Sequence, residues 1–428
     1  MNSNFISFPV TDFERTKHQV LSWANQFSTC CFLDNHQYHF NHQTYECIAG
    51  AGMVDCVEAP AGTAFRQLEL FQQKQRGWLF GHLGYDLKNE TEAVFSVNPD
   101  HIRFPDLFFF VPETVLLLNK KELHIAAASP QKAQEVFISL SRDPFTLPSA
   151  TNKIHFQPRF SKQAYLETVE KLRSHILRGD CYEINFCQEF FAENVQADPL
   201  TIYRSLSAVS PSPFAAFYKI RDKYLLCASP ERYLKKQGDT IISQPIKGTG
   251  RRNPLDAEGD ALNREHLFHS AKDRSENVMV VDLVRNDLSK ICVEGSVQVE
   301  ELFGIYSFPQ VHQMISTVSG SLQPGLLFTD IIKKTFPMGS MTGAPKKKVM
   351  ELIEQYETCR RGIFSGAVGY IKPGGDFDLN VVIRSILYNE TARYLSYLVG
   401  SGITFYSNAA EEYEECLLKA EAIKNVFS

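Results

Sequence analysis

Acidic side chains at helical spacing are the first candidates for chemistry in this 428-residue chain. Asp273 and Glu276 stand three residues apart in a segment, Leu262 to Ser289, whose spacing predicts a helix. They share a face just ahead of the apolar run Val278-Met279-Val280-Val281. Glu412, Glu415 and Lys419 lie side by side on a second helix, expected over Glu411 to Phe427, with an apolar stripe of Tyr413, Cys416, Leu417, Ala420, Ile423 and Phe427. Asn408 and Glu411 form a capping box at its start. Taken singly, each set also reads as a solvated helix face, and Glu415 with Lys419 as a surface pair. Brought together, Glu276 and Glu415 could share a hard cation, because Mg²⁺ takes few protein carboxylates and completes its shell with ligand oxygens.

Lys247, in Gln244-Pro245-Ile246-Lys247-Gly248-Thr249, ends an apolar strand expected over Thr240 to Ile246. Burial there would favour a neutral, nucleophilic amine; a strand-end lysine that reaches water is the alternative. Two glycine-containing turns are candidates for anion binding through exposed amides: Gly400-Ser401-Gly402 after a strand, and Gly339 to Lys346 at a helix start. The second is no phosphate loop, since Ala344 and Pro345 stand where GxxxxGK[ST] needs Gly and Lys.

The elements that must position these groups divide near residue 150. Residues 1–150 read as mostly strand, and Arg142 to Pro158, with Pro144, Pro148 and Pro158, reads as the connection. Residues 151–428 mix helices (Lys162 to Arg178, Leu262 to Ser289, Pro345 to Tyr356, Glu411 to Phe427) with strands (Cys181 to Phe191, Tyr224 to Ala228, Thr240 to Ile246, Gly366 to Ile371, Leu379 to Leu387, Tyr394 to Val399), giving an α+β class. A formal net charge of -5 leaves no basic footprint for nucleic acid. Apolar runs fall well short of the roughly 20 residues that span a membrane. No secretory leader is evident, and 10 scattered cysteines without zinc spacing fit a cytoplasmic protein.

Together these segments resemble the chorismate-utilising enzymes, which include component I of anthranilate synthase and of aminodeoxychorismate synthase, isochorismate synthase and salicylate synthase. The likeness runs over about Phe160 to Phe427. It is carried by Pro245-Ile246-Lys247-Gly248-Thr249, Asp273-Arg274-Ser275-Glu276-Asn277, Val281 to Leu288, Thr342-Gly343-Ala344-Pro345-Lys346, Gly366-Ala367-Val368-Gly369-Tyr370, Arg384, Gly400-Ser401-Gly402 and Glu412 to Cys416. The resemblance implies large antiparallel β-sheets packed together and flanked by helices. It implies Mg²⁺ held by Glu276, Glu415 and Glu412, with chorismate bound by Gly248, Thr249, Thr342, Arg384, Gly400, Gly402 and Lys419. Lys247 stands where anthranilate synthases carry alanine; the lysine form marks the aminodeoxychorismate synthase branch. There it implies a covalent nucleophile that adds at C2 of chorismate, before ammonia enters at C4 to give 4-amino-4-deoxychorismate for p-aminobenzoate and folate supply.

Three positions bear on the branch. Glu183 occupies the place of the water-activating lysine of the isochorismate and salicylate synthases. Gln313, three residues before Ser316, occupies that of a histidine in anthranilate-type enzymes, His312 being one step off; Phe364 occupies that of a tyrosine. No G-x-C-x-G elbow is present, so a glutamine amidotransferase subunit is the expected ammonia source, and no lyase domain is expected beyond the last helix. The alternatives are a pyruvate-releasing anthranilate synthase component I, a non-catalytic chorismate-binding subunit and a Schiff-base enzyme using Lys247. Toward the amino terminus the likeness rests on Gly81 to Asp86 and Ser210 to Phe214. Phe32-Leu33-Asp34-Asn35 departs from the LLES-like residues beside which family members bind tryptophan, leaving that question open.

Overall fold

Along the paired strands Phe214–Ile220 and Lys223–Ser229, side chains alternate between two buried environments. Ala216, Tyr218, Leu225 and Cys227 face one apolar core, and Phe217, Tyr224, Leu226 and Ala228 the other. A strand buried on both faces requires a layer on each side. The computed structural model, which describes residues 5–38, 42, 44–142, 153–308 and 311–427, supplies both.

The first layer is a second sheet. These two strands lie within a 12-stranded sheet, which faces a 10-stranded one across the first core. Phe80, Phe108, Ile241 and Val368 enter that core from the smaller sheet. The second layer is helical. Trp23 of Phe13–Asn25, Tyr165 of Lys162–Leu177, Leu206 of Pro199–Val209 and Ile423 of Ala409–Val426 close the second core. Each large apolar side chain so buried contributes about 1.5–3 kcal/mol. Every strand pair described is antiparallel, as the family resemblance implies. No helix among the described residues is long and apolar enough to cross a membrane.

The connection expected near residue 150 lies largely outside the described residues. On either side of it the halves interleave: Thr29–Asp34 pairs with Phe214–Ile220 in the larger sheet, and Leu79–Leu83 with Ala367–Ile371 in the smaller. Residues 5–142 also carry more helix than expected, in Phe13–Asn25, Ala64–Lys74 and Pro130–Arg142. Their buried residues (Val20, Leu21 and Ala24; Phe65, Leu68 and Phe71; Ala133, Val136 and Leu140) follow helical spacing.

Four expected elements are redrawn where they meet the site. The helix expected over Leu262 to Ser289 is two, Ala257–His269 and Ala271–Ser289. Ser270 ends the first and caps the second, its Oγ accepting from the Asp273 amide. Leu379 to Leu387 is not one strand: Phe377–Asn380 belongs to the smaller sheet and Ser385–Asn389 to the larger, with Arg384 at φ 50 in the crossing between them. Thr240–Gln244 stops before Pro245, so Lys247 lies on its own strand, Ile246–Arg251. Gly400-Ser401-Gly402 is not a turn but part of Tyr394–Thr404, paired residue for residue with Cys187, Phe186 and Asn185.

A buried ion pair fixes the base of this region. Arg361 donates to both carboxylate oxygens of Glu357 at 2.9 and 2.6 Å, and to the carbonyls of Met341 (2.6 Å) and Asn185 (2.7 Å). It thereby ties the Gly339–Met341 turn to the strand Glu183–Ala192. Arg361→Ala strands the Glu357 carboxylate in the interior and should lower stability by about 3–5 kcal/mol, read as a reduced denaturant midpoint.

Candidate active site

A cavity of about 540 Å³ opens where the edges of the two sheets meet, within the common range of small-ligand sites, about 300–1,000 Å³. Its walls are the edge strand Ile246–Arg251, the strands Glu183–Ala192 and Tyr394–Thr404, and the helices Ala271–Ser289 and Ala409–Val426. Lys247, Gly248, Thr249, Glu276, Arg384, Gly400, Gly402, Glu415 and Lys419 all line it.

Lys247 donates to Glu183 Oε1 at 2.7 Å across the gap between the sheets. Burial alone would lower its pKa, but Glu183, Glu276 and Glu415 outweigh burial and raise it. The lysine is therefore an ammonium in the ligand-free site, contrary to the neutral amine that burial alone suggested. Gly402 makes room for it: a Cβ there would lie 2.7 Å from Lys247 Nζ and 3.0 Å from Glu183 Oε1. Gly402→Ala should push the amine aside and lower kcat on the order of 100-fold, the usual cost of a misplacement near 1 Å. Stability should change little, because the crowded atoms end flexible side chains; steady-state kinetics and thermal melting check both parts.

The acidic set converges on one cation. Lys272 Nζ, half-exposed, lies 3.9 Å from Glu276 Oε1, 3.7 Å from Glu412 Oε1 and 3.7 Å from Glu415 Oε2. Glu412 is buried behind the glycine strand, where Ser401 Oγ bonds its Oε2 and its Oε1 has no hydrogen-bond partner. Burial pushes Glu276 up to about 7, whereas Lys419, 2.8 Å away, holds Glu415 down at about 2. Among the described residues no acidic cluster stands ready-made at coordination distance. Even so, hard oxygen donors aimed at a shared positive charge, one of them orphaned, fit a hard divalent ion.

The cavity also holds a guanidinium. Arg384 is held by Gln313, whose amide oxygen, turned toward the guanidinium, accepts from Nη1 at 3.1 Å and Nη2 at 2.7 Å. Burial lowers its pKa to about 10, partly offset by Glu231. His312 points away from the cavity, to Ser307 and Asp260, as strand alternation requires. Phe364 lines the wall without a hydroxyl.

Thr342 does not reach the cavity. It is fully buried and its Oγ1 donates to the carbonyls of Met338 and Gly339, so its role is to close the turn. Lys346, in the same motif, is bonded to Asp287 and the Thr335 carbonyl. Glu231 was missed in the sequence. It lines the cavity, and burial, opposed by the Ser340 side chain and the charges of Lys247 and Arg384, raises it to about 7. Lys272 was missed as well; its place four residues before Glu276 was the available signal. A second cavity is lined by Leu33, Asp34, Asn35, Tyr45, Pro213 and Phe214, with Asp34 paired to Lys17 at 3.2 Å.

Residues 19–425 match the family model described as chorismate binding enzyme. The chain is 34% identical to a probable chloroplastic aminodeoxychorismate synthase of Oryza sativa subsp. japonica over 81% of its own length, but spans only 43% of that protein. It is 34% identical to aminodeoxychorismate synthase component 1 of Klebsiella aerogenes and 33% identical to anthranilate synthase component 1 of Thermus thermophilus, in each case over 81% of this chain and 76% of the relative. Its fold is that of anthranilate synthase component I from Streptococcus pneumoniae, with a TM-score of 0.78, 27% identity, and coverage of 91% of this chain and 95% of that one. With a family match across nearly its whole length, the chain belongs to the chorismate-binding enzymes.

Proposed function

We propose that this enzyme is an aminodeoxychorismate synthase component I, which replaces the C4 hydroxyl of chorismate with an amino group. The observation that carries the reading is the Lys247 side chain, set in the same cavity as the Glu276–Glu415 pair and Arg384. Glu276 and Glu415, with Glu412 behind them, would hold Mg²⁺, which when bound supplies positive charge against the ring carboxylate. Arg384, Lys419 and the amides of the glycine strand suit the remaining negative charge of the dianion. Lys247, once deprotonated, adds its lone pair to C2, the two ring double bonds each shift, and the C4–O bond breaks. Glu231, protonated near neutrality, gives its proton to the departing hydroxide, which leaves as water. Ammonia then adds at C4, the double bonds shift back and the C2–Nζ bond breaks. The new C4 ammonium returns a proton to Glu231. The relatives named as component 1 of their synthases support an amidotransferase partner as the ammonia source.

Pyruvate release is disfavoured by the cavity wall, which has no histidine among the described residues. Incubating the purified chain with chorismate, Mg²⁺ and ammonium should give aminodeoxychorismate by mass spectrometry, without pyruvate. Anthranilate with pyruvate would refute the reading, and ligand binding without turnover, even with an amidotransferase, would make the chain a non-catalytic subunit. Because Glu231 acts in its protonated form, kcat should decline as pH rises through about 7. Glu231→Gln should remove that limb and lower kcat by about 10²–10⁴-fold, measured as pH–rate profiles of both proteins.

A further inference from the structure

A nucleophilic lysine that rests as an ammonium needs somewhere to put a proton. Glu183 is the first residue of its strand, 2% exposed, and the carboxylate hydrogen-bonded to Lys247. Its second oxygen, Oε2, is buried without a partner. Moving one proton from Nζ to Oε1 along the existing hydrogen bond removes two buried charges at once and requires no rearrangement of either sheet. The opposing strand is cut away to glycine at the point where a Cβ would strike both atoms of the pair.

We propose that Glu183 is the base of the first step: it takes the proton of the Lys247 ammonium, freeing the amine to attack, and returns it when Lys247 is expelled. Lys247–NH₃⁺ and Glu183–COO⁻ become Lys247–NH₂ and Glu183–COOH. The N–C2 bond then forms with the loss of hydroxide described above, and the amine released at the end regains its proton from Glu183. No outside acid, base or oxidant is consumed. The proposal rests on the covalent reading of Lys247 in the preceding subsection.

The test uses Glu183→Gln and Glu183→Asp in the full chain with chorismate, Mg²⁺ and ammonium. Gln keeps the size and an oxygen for the hydrogen bond but cannot take the proton. Its kcat should fall by about 100-fold or more, with KM for chorismate and the melting temperature close to wild type, and Asp should recover part of the loss. A second readout omits ammonia. Intact-mass analysis of the wild type should find a chorismate adduct, less one water, mapped to the Lys247 peptide, and in the Gln variant it should form more slowly by a similar factor. A wild-type adduct together with an unimpaired Gln variant overturns the role of Glu183 alone. So does a loss that appears entirely in KM for both variants. Turnover without any adduct, and with Lys247→Gln still active, overturns the covalent reading and the base with it.

Discussion

Lys247→Gln is expected to lower kcat for the aminated product on the order of 10³-fold or more, while Mg²⁺-dependent chorismate binding survives. On the proposed mechanism, ammonia would then have to displace the C4 hydroxyl directly, and the step that activates C4 would be lost. The choice of substitute decides what is measured. Lys247→Ala should also impair amination, but it leaves the buried Glu183 carboxylate without its ion-pair partner, a loss of about 3–5 kcal/mol for a buried pair. Gln retains a donor for Glu183 Oε1 and separates chemistry from folding. The check is kcat and KM for chorismate at saturating ammonium, with melting temperatures alongside. A Gln variant within about tenfold of wild type, too small a loss for a nucleophile, removes the covalent role.

Glu276→Ala is expected to abolish Mg²⁺-dependent turnover, again on the order of 10³-fold, with the Lys247–Glu183 hydrogen bond kept. Of Glu276, Glu412 and Glu415, Glu276 comes from the helix Ala271–Ser289, where Asp273 also lines the cavity, and the other two from Ala409–Val426. Removing Glu276 leaves of these three only the two carboxylates of the last helix. Glu415 is already partly committed to Lys419 at 2.8 Å, and Glu412 to Ser401. The ammonium of Lys272 would then face a weaker competitor for the two carboxylates that remain. Calorimetric titration with Mg²⁺ in the presence of chorismate should show binding weakened in step with turnover. Wild-type Mg²⁺ affinity in this variant would take Glu276 out of the metal site.

Much of the site was legible from residue types. Glu276 and Glu415 were found because helical spacing sets each beside an apolar stripe, a local property. Asn408 capping worked for the same reason, its Oδ1 accepting from the amides of Ala410 and Glu411, though as a one-sided cap rather than the reciprocal box expected with Glu411. Other features depend on pairings that no local pattern encodes. Glu183 and Lys247 are 64 residues apart and meet only because two sheets converge. That meeting also reverses the charge state of Lys247, since its carboxylate neighbours outweigh the burial visible from the apolar strand. Gly400 and Gly402 read as a turn because glycine usually marks one. Here they keep a strand face clear, and the residue between them, Ser401, points the other way to Glu412. Thr342 belongs to a motif that does border the cavity, through Ser340 and Met341, but its own hydroxyl is spent on the turn. Glu231 offered no local signal, because what raises its pKa is burial between distant segments.

The central claim is a juxtaposition: the Lys247 amine on one side of the ring, and a cation shared by Glu276 and Glu415 on its carboxylate. An experimental structure of the Lys247→Gln variant with Mg²⁺ and chorismate tests it most directly. The expected result is the ring carboxylate on an ion held by Glu276 and Glu415, C2 facing the residue-247 side chain, and the C4 hydroxyl within reach of Glu231. Chorismate bound elsewhere, or seated here with C2 turned away from residue 247, would contradict the account.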